Sequence, residues 1–596
     1  MPASPSASAE GPVRLVVQSE GTEVQEQLRI LSLTVRHALN SLPWARLVID
    51  DGDMPGNKYP VSDGALFTPG SAIVLRAGYG DSDAQIFSGI VVRHSLKISG
   101  DNHSRLIVEC RDKACKMAIG RVNAKYQDQT DSDIISGLIA AAGLQADVQS
   151  TEVQQAELLQ YDCSDWDFML ARADAMGLLV AVEDGKITVK PPDASAEPAL
   201  SVTWGVDLIA LQADIDARSQ LKAAQAHAWD PAQQAVVESS AAAPLALNAQ
   251  GNLSGATLAE VVSPDSYRLQ SSAALPQAAL EQWAKAAQLK AALARVRGRM
   301  SFQGSALAKP ATLIALAGVG ARVNGPVFVS AVQHEIHDGE WLSEAEFGLD
   351  PDWHMQRPDV MAAPAGGLLP GIHGLQIGVV MKLDADPGGE QRIQVKLPVL
   401  QTATEGIWAR LLQLHASSGF GAFFLPEVGD EVIVGFLSAD PSHPVVLGSL
   451  YSSSRSPPYE LAAENDTKAL VTRCKHRLVF DEKDKIITLT TPANNQIVLD
   501  DKDKSILIKD QNGNSIKLSS DGIALDSPKD IKLTAKGGIT LDAVNAIELT
   551  SKADIKAAGL NISCEAQVGI TAKGAATAEL SASGQTTVKG AMVMIN

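Results

Sequence analysis

The sequence is poor in aromatic side chains and has neither basic patches nor long apolar runs. Only 4% of its 596 residues are aromatic, and its formal net charge is -19. A nucleic-acid binder needs a basic footprint, so this acidic chain is not expected to bind nucleic acid. The best apolar run, ATLIALAGVG at 311–320, is too short to cross a membrane and is typical of a buried strand.

Cysteine is also scarce, and no secretory signal is visible. The five cysteines are scattered and odd in number, which indicates free thiols in a protein that folds in the cytosol. Cys110 and Cys115 have no second pair that would complete a zinc site, and we expect no metal or cofactor. The opening MPASPSASAEGP has no basic start and no apolar core, so we interpret residues 1–12 as a disordered tail. We expect assembly in the cytoplasm, without a signal peptide or a transmembrane segment.

Short strands of alternating apolar and polar residues are predicted over 13–120. Two helices follow. One covers 131–143, and the other covers 164–177, where Ser164 and Asp167 have capping-box spacing. The DG pair in LLVAVEDGKITVKPP predicts a hairpin turn.

The middle of the chain is less informative. A further helix is predicted from Pro276 to a stop near Gly298, because proline suits the first turn of a helix and basic residues suit its end. Residues 222–270 are rich in alanine and give no clear local prediction.

The last part of the sequence follows a repeat of eight residues. No aromatic residue follows Phe480. Two apolar residues, two positions apart, recur at a fixed interval that slips once to seven between Ile555 and Ile562. Residues at i and i+2 share one face of a strand, so each pair faces the same way. The pairs are Ile523/Leu525, Ile531/Leu533, Ile539/Leu541, Ile547/Leu549, Ile555/Ala557, Ile562/Cys564, Ile570/Ala572, Ala578/Leu580 and Thr586/Val588.

Such a ribbon is not expected to fold as a single chain. Two modest apolar side chains cannot offset the backbone entropy of eight ordered residues. We therefore predict that three copies wind together into a needle on the order of 60 Å long, with one octad per ~4.8 Å layer. The predicted needle core is formed by Ile523, Leu525, Ile531, Leu533, Ile539, Leu541, Ile547, Leu549, Ile555, Ile562, Ile570 and Leu580.

A longer stretch carries a family resemblance. SSGFGAFFLPEVGDEVIVGFLSADPSHPVVLGSLY at 417–451 resembles the VgrG spike proteins of contractile injection systems. IGVVMKLDADPGGEQRIQVKLP at 377–398 resembles the opening strands of their OB-type barrel, and 324–351 is similar to spikes of phage-tail-like, extracellular particles. The motif residues of the barrel are Trp408, Phe420, Gly421, Pro426, Val428, Gly429 and Asp430.

The resemblance implies a mainly β homotrimer with a defined order of parts. After the tail of residues 1–12, residues 13–365 would form a trimeric hub of tandem β-barrels with added helices, similar to a phage baseplate hub. Residues 366–455 would form the OB-type barrel and 456–485 a linker. Residues 486–596 would form an intertwined triple-stranded β-helix, or β-prism.

The family also implies a function and partners. The hub would cap the inner tube and contact adaptor and baseplate proteins, and the needle would pierce the target envelope when the sheath contracts. The particle would be extracellular after release and would touch the target membrane only transiently. No room for a lysozyme domain is seen between Tyr451 and the repeat, and no effector is seen after Val588, so we expect no enzyme activity.

The last residues are expected to bind a partner. The family carries a conical tip protein of the PAAR type at this end. No histidine follows His476, so the needle cannot build a His-bound metal apex of its own. The predicted tip-binding residues are Val588, Met592, Val593, Met594, Ile595 and Asn596, where methionines suit an adaptable contact surface.

Three candidates for chemistry are weighed against structural roles. His334 and His337 lack the spacing of a zinc helix and would point to opposite faces of a strand. Asp162, Asp165 and Asp167 are typical of a helix N-terminus. GVGARVNG at 318–325 precedes a strand rather than a helix, unlike a dinucleotide loop.

Two alternative functions stay open. A cell-wall hydrolase would need a pocket of converging titratable groups. A trimeric adhesion fibre would need a receptor-binding knob after the repeat.

Overall fold

The computed structural model describes residues 2–24, 28–100, 103–400 and 405–595. The chain divides into two compact units, Met1–Leu450 and Tyr451–Asn596. Strand is much commoner than helix, which confirms the prediction of a mainly β fold.

The first unit is built on one large, mostly antiparallel sheet. Shorter strands of the same unit pair in smaller sheets. The strands are β1 (Val13–Ser19), β2 (Thr22–Glu23), β3 (Arg29–Ala38), β4 (Trp44–Asp50), β5 (Ala72–Tyr79), β6 (Ser82–Ile98), β7 (Ser104–Arg111), β8 (Val122–Thr130), β9 (Gln145–Val148), β10 (Gln154–Cys163), β11 (Leu179–Glu183), β12 (Lys186–Lys190), β13 (Leu200–Thr203), β14 (Leu208–Ile215), β15 (Ala224–Asp230), β16 (Ala235–Glu238), β17 (Tyr267–Ser271), β18 (Val296–Gln303), β19 (Leu313–Ala317), β20 (Gly325–His337) and β21 (Glu340–Phe347).

The large sheet runs in the order β14-β18-β21-β20-β3-β4-β7-β6-β5-β1-β2, with β19 also paired to β20 and β13 to β19. Alternation of apolar and polar residues explains its core. Leu33 of β3 faces Leu47 of β4, which faces Val108 of β7. All three are buried, because the same parity along each strand points to one face. The predicted hairpin is confirmed as β11–β12.

Four helices pack beside these strands: α1 (Asp131–Ala141), α2 (Asp165–Ala175), α3 (Gly255–Val262) and α4 (Gln277–Ala294). The predicted start of α2 is confirmed, because the Ser164 hydroxyl accepts a hydrogen bond from the Asp167 N–H at 3.1 Å. Gly143 and Gly177 follow α1 and α2 with φ of +70° and +66°, a conformation that favours glycine.

The predicted end of α4 near Gly298 is wrong. The helix stops at Ala294, and the chain enters β18 at Val296. Gly298 lies inside β18, where a Cβ would be 2.2 Å from the Gln212 carbonyl oxygen and 2.6 Å from the Phe347 ring. This glycine therefore serves close packing within the sheet and not helix termination.

Two further segments differ from expectation or add to it. Residues 2–12 were expected to form a disordered tail, but Ala3 bridges Leu200 and the Ser4 hydroxyl donates to the Asp207 carboxylate; Met1 lies outside the described residues. Residues 222–270, uninformative in sequence, contain α3 and the three-stranded sheet β16-β15-β17.

A closed barrel completes the first unit. Its five strands run in the order β22-β23-β24-β28-β27, around buried Val380, Val395, Val432 and Val446. A short hairpin, β25–β26, extends from it. The ranges are β22 (Gln376–Lys382), β23 (Ile393–Lys396), β24 (Ile407–Leu411), β25 (Ala416–Ser417), β26 (Phe420–Gly421), β27 (Glu431–Phe436) and β28 (Pro444–Ser449).

The second unit contains a seven-stranded antiparallel meander. It begins at Thr467, so the segment 456–485, expected to be a linker, contains the first two strands. The strands are β29 (Thr467–Val471), β30 (Arg477–Asp481), β31 (Ile486–Thr490), β32 (Gln496–Asp500), β33 (Ser505–Lys509), β34 (Ser515–Ser519) and β35 (Gly522–Asp526).

Candidate functional site: the repeat ribbon

The meander carries two rows of apolar side chains on one face. Strands β30 to β35 each contribute two of them, two positions apart, and β29 contributes one; neighbouring strands place them directly opposite each other. One row joins Leu470, Leu478, Leu489, Ile497, Ile508, Ile516 and Leu525. The other joins Phe480, Ile487, Leu499, Ile506, Leu518 and Ile523. From Ile487 to Leu525 these residues are 36–74% exposed, so the described part of the chain leaves a broad apolar face uncovered.

Beyond Asp526 the chain continues as an extended ribbon that bends at regular intervals. The bends begin at 528, 536, 544, 552, 560, 567, 575, 583 and 591. Each begins five residues after the first member of an apolar pair, and the spacing shortens to seven where the sequence repeat also slips. The octad is therefore a unit of backbone geometry as well as of sequence.

The ribbon does not pair with itself. Within residues 527–595, the structure shows no backbone–backbone hydrogen bond and no paired strand. Unpaired peptide groups need partners, either water or other strands. An extended segment of this length with free edges on both sides is suited to pairing with further chains.

Exposure in the single chain differs between some pair positions and the bends. Ile547 of a predicted core pair is 52% exposed, whereas Val544 and Val568 at the bends are fully exposed. None of the predicted core residues from Ile523 to Leu580 is buried within one chain. Their place in a shared core stays a prediction.

The predicted tip-binding residues lie at the end of this ribbon. Val588, Met592, Val593, Met594 and Ile595 are all exposed, at 50–91%. Asn596 lies outside the described residues. The five described side chains form an apolar group without a partner in the rest of the described chain.

The motif residues of the barrel have two kinds of environment. Pro426 is buried and Trp408 is half-buried on β24. Gly429 has φ of +86° and donates its N–H to the Val380 carbonyl at 2.8 Å, which closes the turn before β27. Gly421 has φ of +145°, and a Cβ there would be 2.5 Å from the His415 carbonyl oxygen.

The other three motif residues split between a turn and the surface. The Asp430 carboxylate accepts the Glu427 N–H at 2.8 Å. Phe420 and Val428 are exposed. Three of the seven motif residues, Gly421, Gly429 and Asp430, thus maintain the backbone conformation, and the exposed residues form part of a surface.

His334 and His337 lie on opposite faces of β20. His334 is buried, whereas the side chain of His337 is 42% exposed, so the strand points them to opposite faces as predicted. The structure shows no cluster of three or more metal-ligating side chains among the described residues. GVGARVNG connects β19 to β20 and so precedes a strand.

The aspartates around the start of α2 also have local partners. Asp165 accepts a hydrogen bond from the Gln160 amide at 2.8 Å, and Asp167 lies 3.0 Å from the Nε2 atom of His354. Asp162 is held through its backbone: its N–H donates to the Asn123 side-chain oxygen at 2.8 Å, and its carbonyl accepts from the Arg121 guanidinium. These contacts serve capping and packing.

One nucleophile–base pair was not found by sequence reasoning. The Ser62 hydroxyl lies 3.1 Å from Nε2 of His94, and the other ring nitrogen contacts the Phe67 carbonyl at 3.1 Å. The Ser62 N–H donates to the buried carboxylate of Asp51 at 2.7 Å. The Ser62 N–H is thus already engaged and is not free to stabilise an oxyanion, which leaves the pair poorly suited to acyl transfer.

Three family models match the chain. Residues 9–338, more than half of its length, match the Alg8 N-terminal domain. Residues 376–451 match the type VI secretion system/phage-baseplate injector OB domain, and 486–544 match the phage baseplate V C-terminal trimerisation domain. The chain belongs to the family of the Alg8 N-terminal domain, and its matches to the two baseplate modules support a VgrG-type spike protein.

Curated relatives match over short segments. The type VI secretion system spike protein VgrG1a of Pseudomonas aeruginosa is 36% identical over 66 residues, which is 11% of this chain and 10% of that protein. The actin cross-linking toxin VgrG1 of Vibrio cholerae is 39% identical over 70 residues, 12% of this chain and 6% of that protein. The matched segments therefore span a tenth or less of the length of these two relatives.

Two solved structures show a distant likeness. The 43 kDa tail protein of prophage MuSo2 from Shewanella oneidensis is 12% identical, with a TM-score of 0.44 over 57% of this chain and 98% of that one. The c3393 protein of E. coli, a component of the type VI secretion system, is 13% identical, with a TM-score of 0.36 over 73% and 99%. In the part of the chain that the structure describes, no helix is long and apolar enough to span a membrane.

Proposed function

We propose that this protein is the non-enzymatic, homotrimeric hub and spike of a contractile injection particle. Residues 13–365 cap the inner tube and contact its adaptor and baseplate proteins. The ribbon of residues 486–596 forms a needle that punctures the target envelope when the sheath contracts. The particle is assembled in the cytoplasm and acts outside the cell after release.

The ribbon carries this proposal. Its bends keep step with the apolar pairs, its backbone has no hydrogen-bonded partner strand in the same chain over 527–595, and its apolar side chains are exposed. Three chains wound together satisfy all three features, because neighbouring strands take up the peptide groups and the pairs face a common axis. The match of 486–544 to a trimerisation domain supports the same assembly.

The oligomeric state tests the proposal directly. We expect the full chain to sediment as a trimer at micromolar concentration and to appear in negative-stain images with one slender end. A folded monomer in analytical ultracentrifugation would refute the needle. A globular particle without a slender end would equally contradict it.

We further propose that a separate tip protein of the PAAR type binds the end of the needle. Three copies of the apolar residues Met592, Met594 and Ile595 would form a blunt apolar surface with free strand edges, which proteins normally cover. Methionine suits such a contact because its side chain is flexible and polarisable.

Co-purification of a tip protein tests this contact. Met592→Asp combined with Met594→Asp should abolish capture and leave the trimer intact. Thr587→Asp is the matched control, since alternation places Thr587 on the opposite face from Thr586 and Val588. Undiminished capture by the double variant, or an equal loss of capture in the control, would refute the proposed tip contact. The proposed trimer would be unaffected by either result.

A further inference from the structure

An apolar arm projects from the closed barrel. Residues 412–425, here called the aromatic arm, leave the end of β24, turn through the β25–β26 hairpin and return towards β27. Leu414 is 99% exposed and Phe423 is 82% exposed. The remaining exposed apolar residues of the arm are Leu412, Phe420, Phe424 and Leu425.

The arm is held in place and is not a loose loop. The Leu412 N–H donates to the Val446 carbonyl at 2.9 Å, which fixes the base of the arm to β28. Further along, the Ala422 N–H donates to the His415 carbonyl at 2.8 Å, and the Gln413 amide donates to the Phe424 carbonyl at 3.3 Å. Its apolar side chains are therefore presented to solvent by an ordered backbone, which lowers the entropy lost on binding.

The same barrel carries a second exposed apolar surface on its outer wall. Leu375 and Leu447 flank Gly435 of β27, and together these three residues are here called the leucine stripe. A Cβ on Gly435 would be 3.5 Å from Cδ2 of Leu375 and 3.7 Å from Cδ1 of Leu447. The space above the glycine is thus shaped by the two leucines, both of which are exposed.

Within one chain, the aromatic arm and the leucine stripe do not cover each other. Both stay exposed although they belong to the same barrel, so neither covers the other. A soluble protein rarely exposes several large apolar side chains together unless they form an interface. When one surface of each copy packs against a different surface of the next copy, the contact is head-to-tail. Such contacts can close into a ring.

We propose that the aromatic arm of each chain docks on the leucine stripe of the neighbouring copy. This inference rests on the proposed trimer. In the sequence only the residues from 450 to 466 separate β28 from β29. Three barrels joined to one needle through such short tethers experience effective concentrations of roughly millimolar order. At such a concentration the contact forms even if it is too weak to hold untethered barrels together.

Engineered disulfides test the contact in the full chain. The exposed Cys474 and Cys564 are first replaced by serine. Phe423→Cys is then combined with Gly435→Cys, and mild oxidation is followed by non-reducing electrophoresis. Each chain carries one cysteine on its arm and one on its stripe, so it can form a disulfide with each of its two neighbours. Most of the protein should therefore convert to a covalent trimer. Phe423→Cys with Lys396→Cys is the matched control, since β23 does not neighbour β27 in the barrel.

Every alternative result has a distinct meaning. Oxidation that consumes both engineered thiols but leaves the chain at monomer mass places the arm on its own barrel and overturns the proposal. Covalent dimers from Phe423→Cys alone show arms clustering with arms, which also overturns it. An intact trimer without crosslinks refutes the arm contact while the proposed function stands. A protein that sediments as a monomer before oxidation refutes the proposed function itself.

Discussion

The Nδ1 atom of His334 lies 2.8 Å from the Ser343 hydroxyl oxygen, and both residues are buried between β20 and β21. The ring also packs against Trp341 with a centroid distance of 5.7 Å. Burial, with a smaller contribution from His37, lowers the pKa of His334 to about 3. The imidazole is therefore neutral in the folded first unit at any pH well above 3.

Acid should destabilise the hub through this histidine. An unfolded chain protonates His334 below about pH 6.5, while the folded chain excludes the proton down to a pKa of about 3. The unfolded state then binds more protons, so this group lowers the free energy of unfolding by about 1.4 kcal/mol per pH unit between these values. Denaturant unfolding at pH 7, 6 and 5 should show a shallower loss in His334→Gln than in the wild type. His337→Gln is the control, and an equal change of slope in both variants would contradict the assignment.

A charge in the predicted needle core should be costly. Ile547→Asp places three carboxylates in one axial layer and removes a buried side chain, a loss of about 2–5 kcal/mol per chain before the charge repulsion is counted. Lys552→Ala, at a bend, should leave stability within about 0.5 kcal/mol. Thermal unfolding of both variants measures the difference. Equal melting temperatures would disprove the division into inner and outer positions.

Cys564 offers a chemical test of the same division. It is the second member of a repeat pair, so three thiols should meet near the axis of a trimer, whereas Cys474 lies in the turn between β29 and β30. Mild oxidation should link two of the three chains, giving dimer and monomer bands in non-reducing electrophoresis. Cys564→Ser should abolish the dimer and Cys474→Ser should not. The reverse pattern would place Cys564 on the outside.

Gly298 should be intolerant of any side chain. Gly298→Ala puts a Cβ 2.2 Å from the Gln212 carbonyl oxygen, and the sheet must deform to accept it. We expect a loss of more than about 2 kcal/mol in the free energy of unfolding. Gly137→Ala in α1 is a matched control, because nothing lies within 4 Å of its added Cβ. That variant should gain about 0.5–1 kcal/mol from helix propensity, and a similar loss in both would refute the packing argument.

The sequence could predict features that depend on local periodicity. The bends of the ribbon follow the pairs from Ile523 onward, including the shortened interval at Ile562, because side-chain parity and turn spacing are both written into eight residues. The cap at Ser164 and the turn at Gly185 were predictable for the same reason: their partners lie within a few residues.

Features that depend on distant partners could not be predicted. The role of Gly298 is set by Phe347 on β21, and the contact of Ser4 is set by Asp207. The Ser62–His94 pair joins a loop to a strand 32 positions away. Likewise, Phe423 belongs to a motif that suggested barrel architecture, but only the folded barrel shows that its ring faces solvent.

Because the distance from each apolar pair to the next bend is constant, the number of repeats sets the length of the ribbon. In the proposed needle, removing one whole octad would shorten the assembly by a single layer, ~4.8 Å, and leave every remaining side chain on its original side. The single interval of seven, beside Gly559, is the one place in the described repeat where the count departs from eight and the bend still follows its pair. Reach can therefore change in steps by gain or loss of repeats, without redesign of the hub or the barrel.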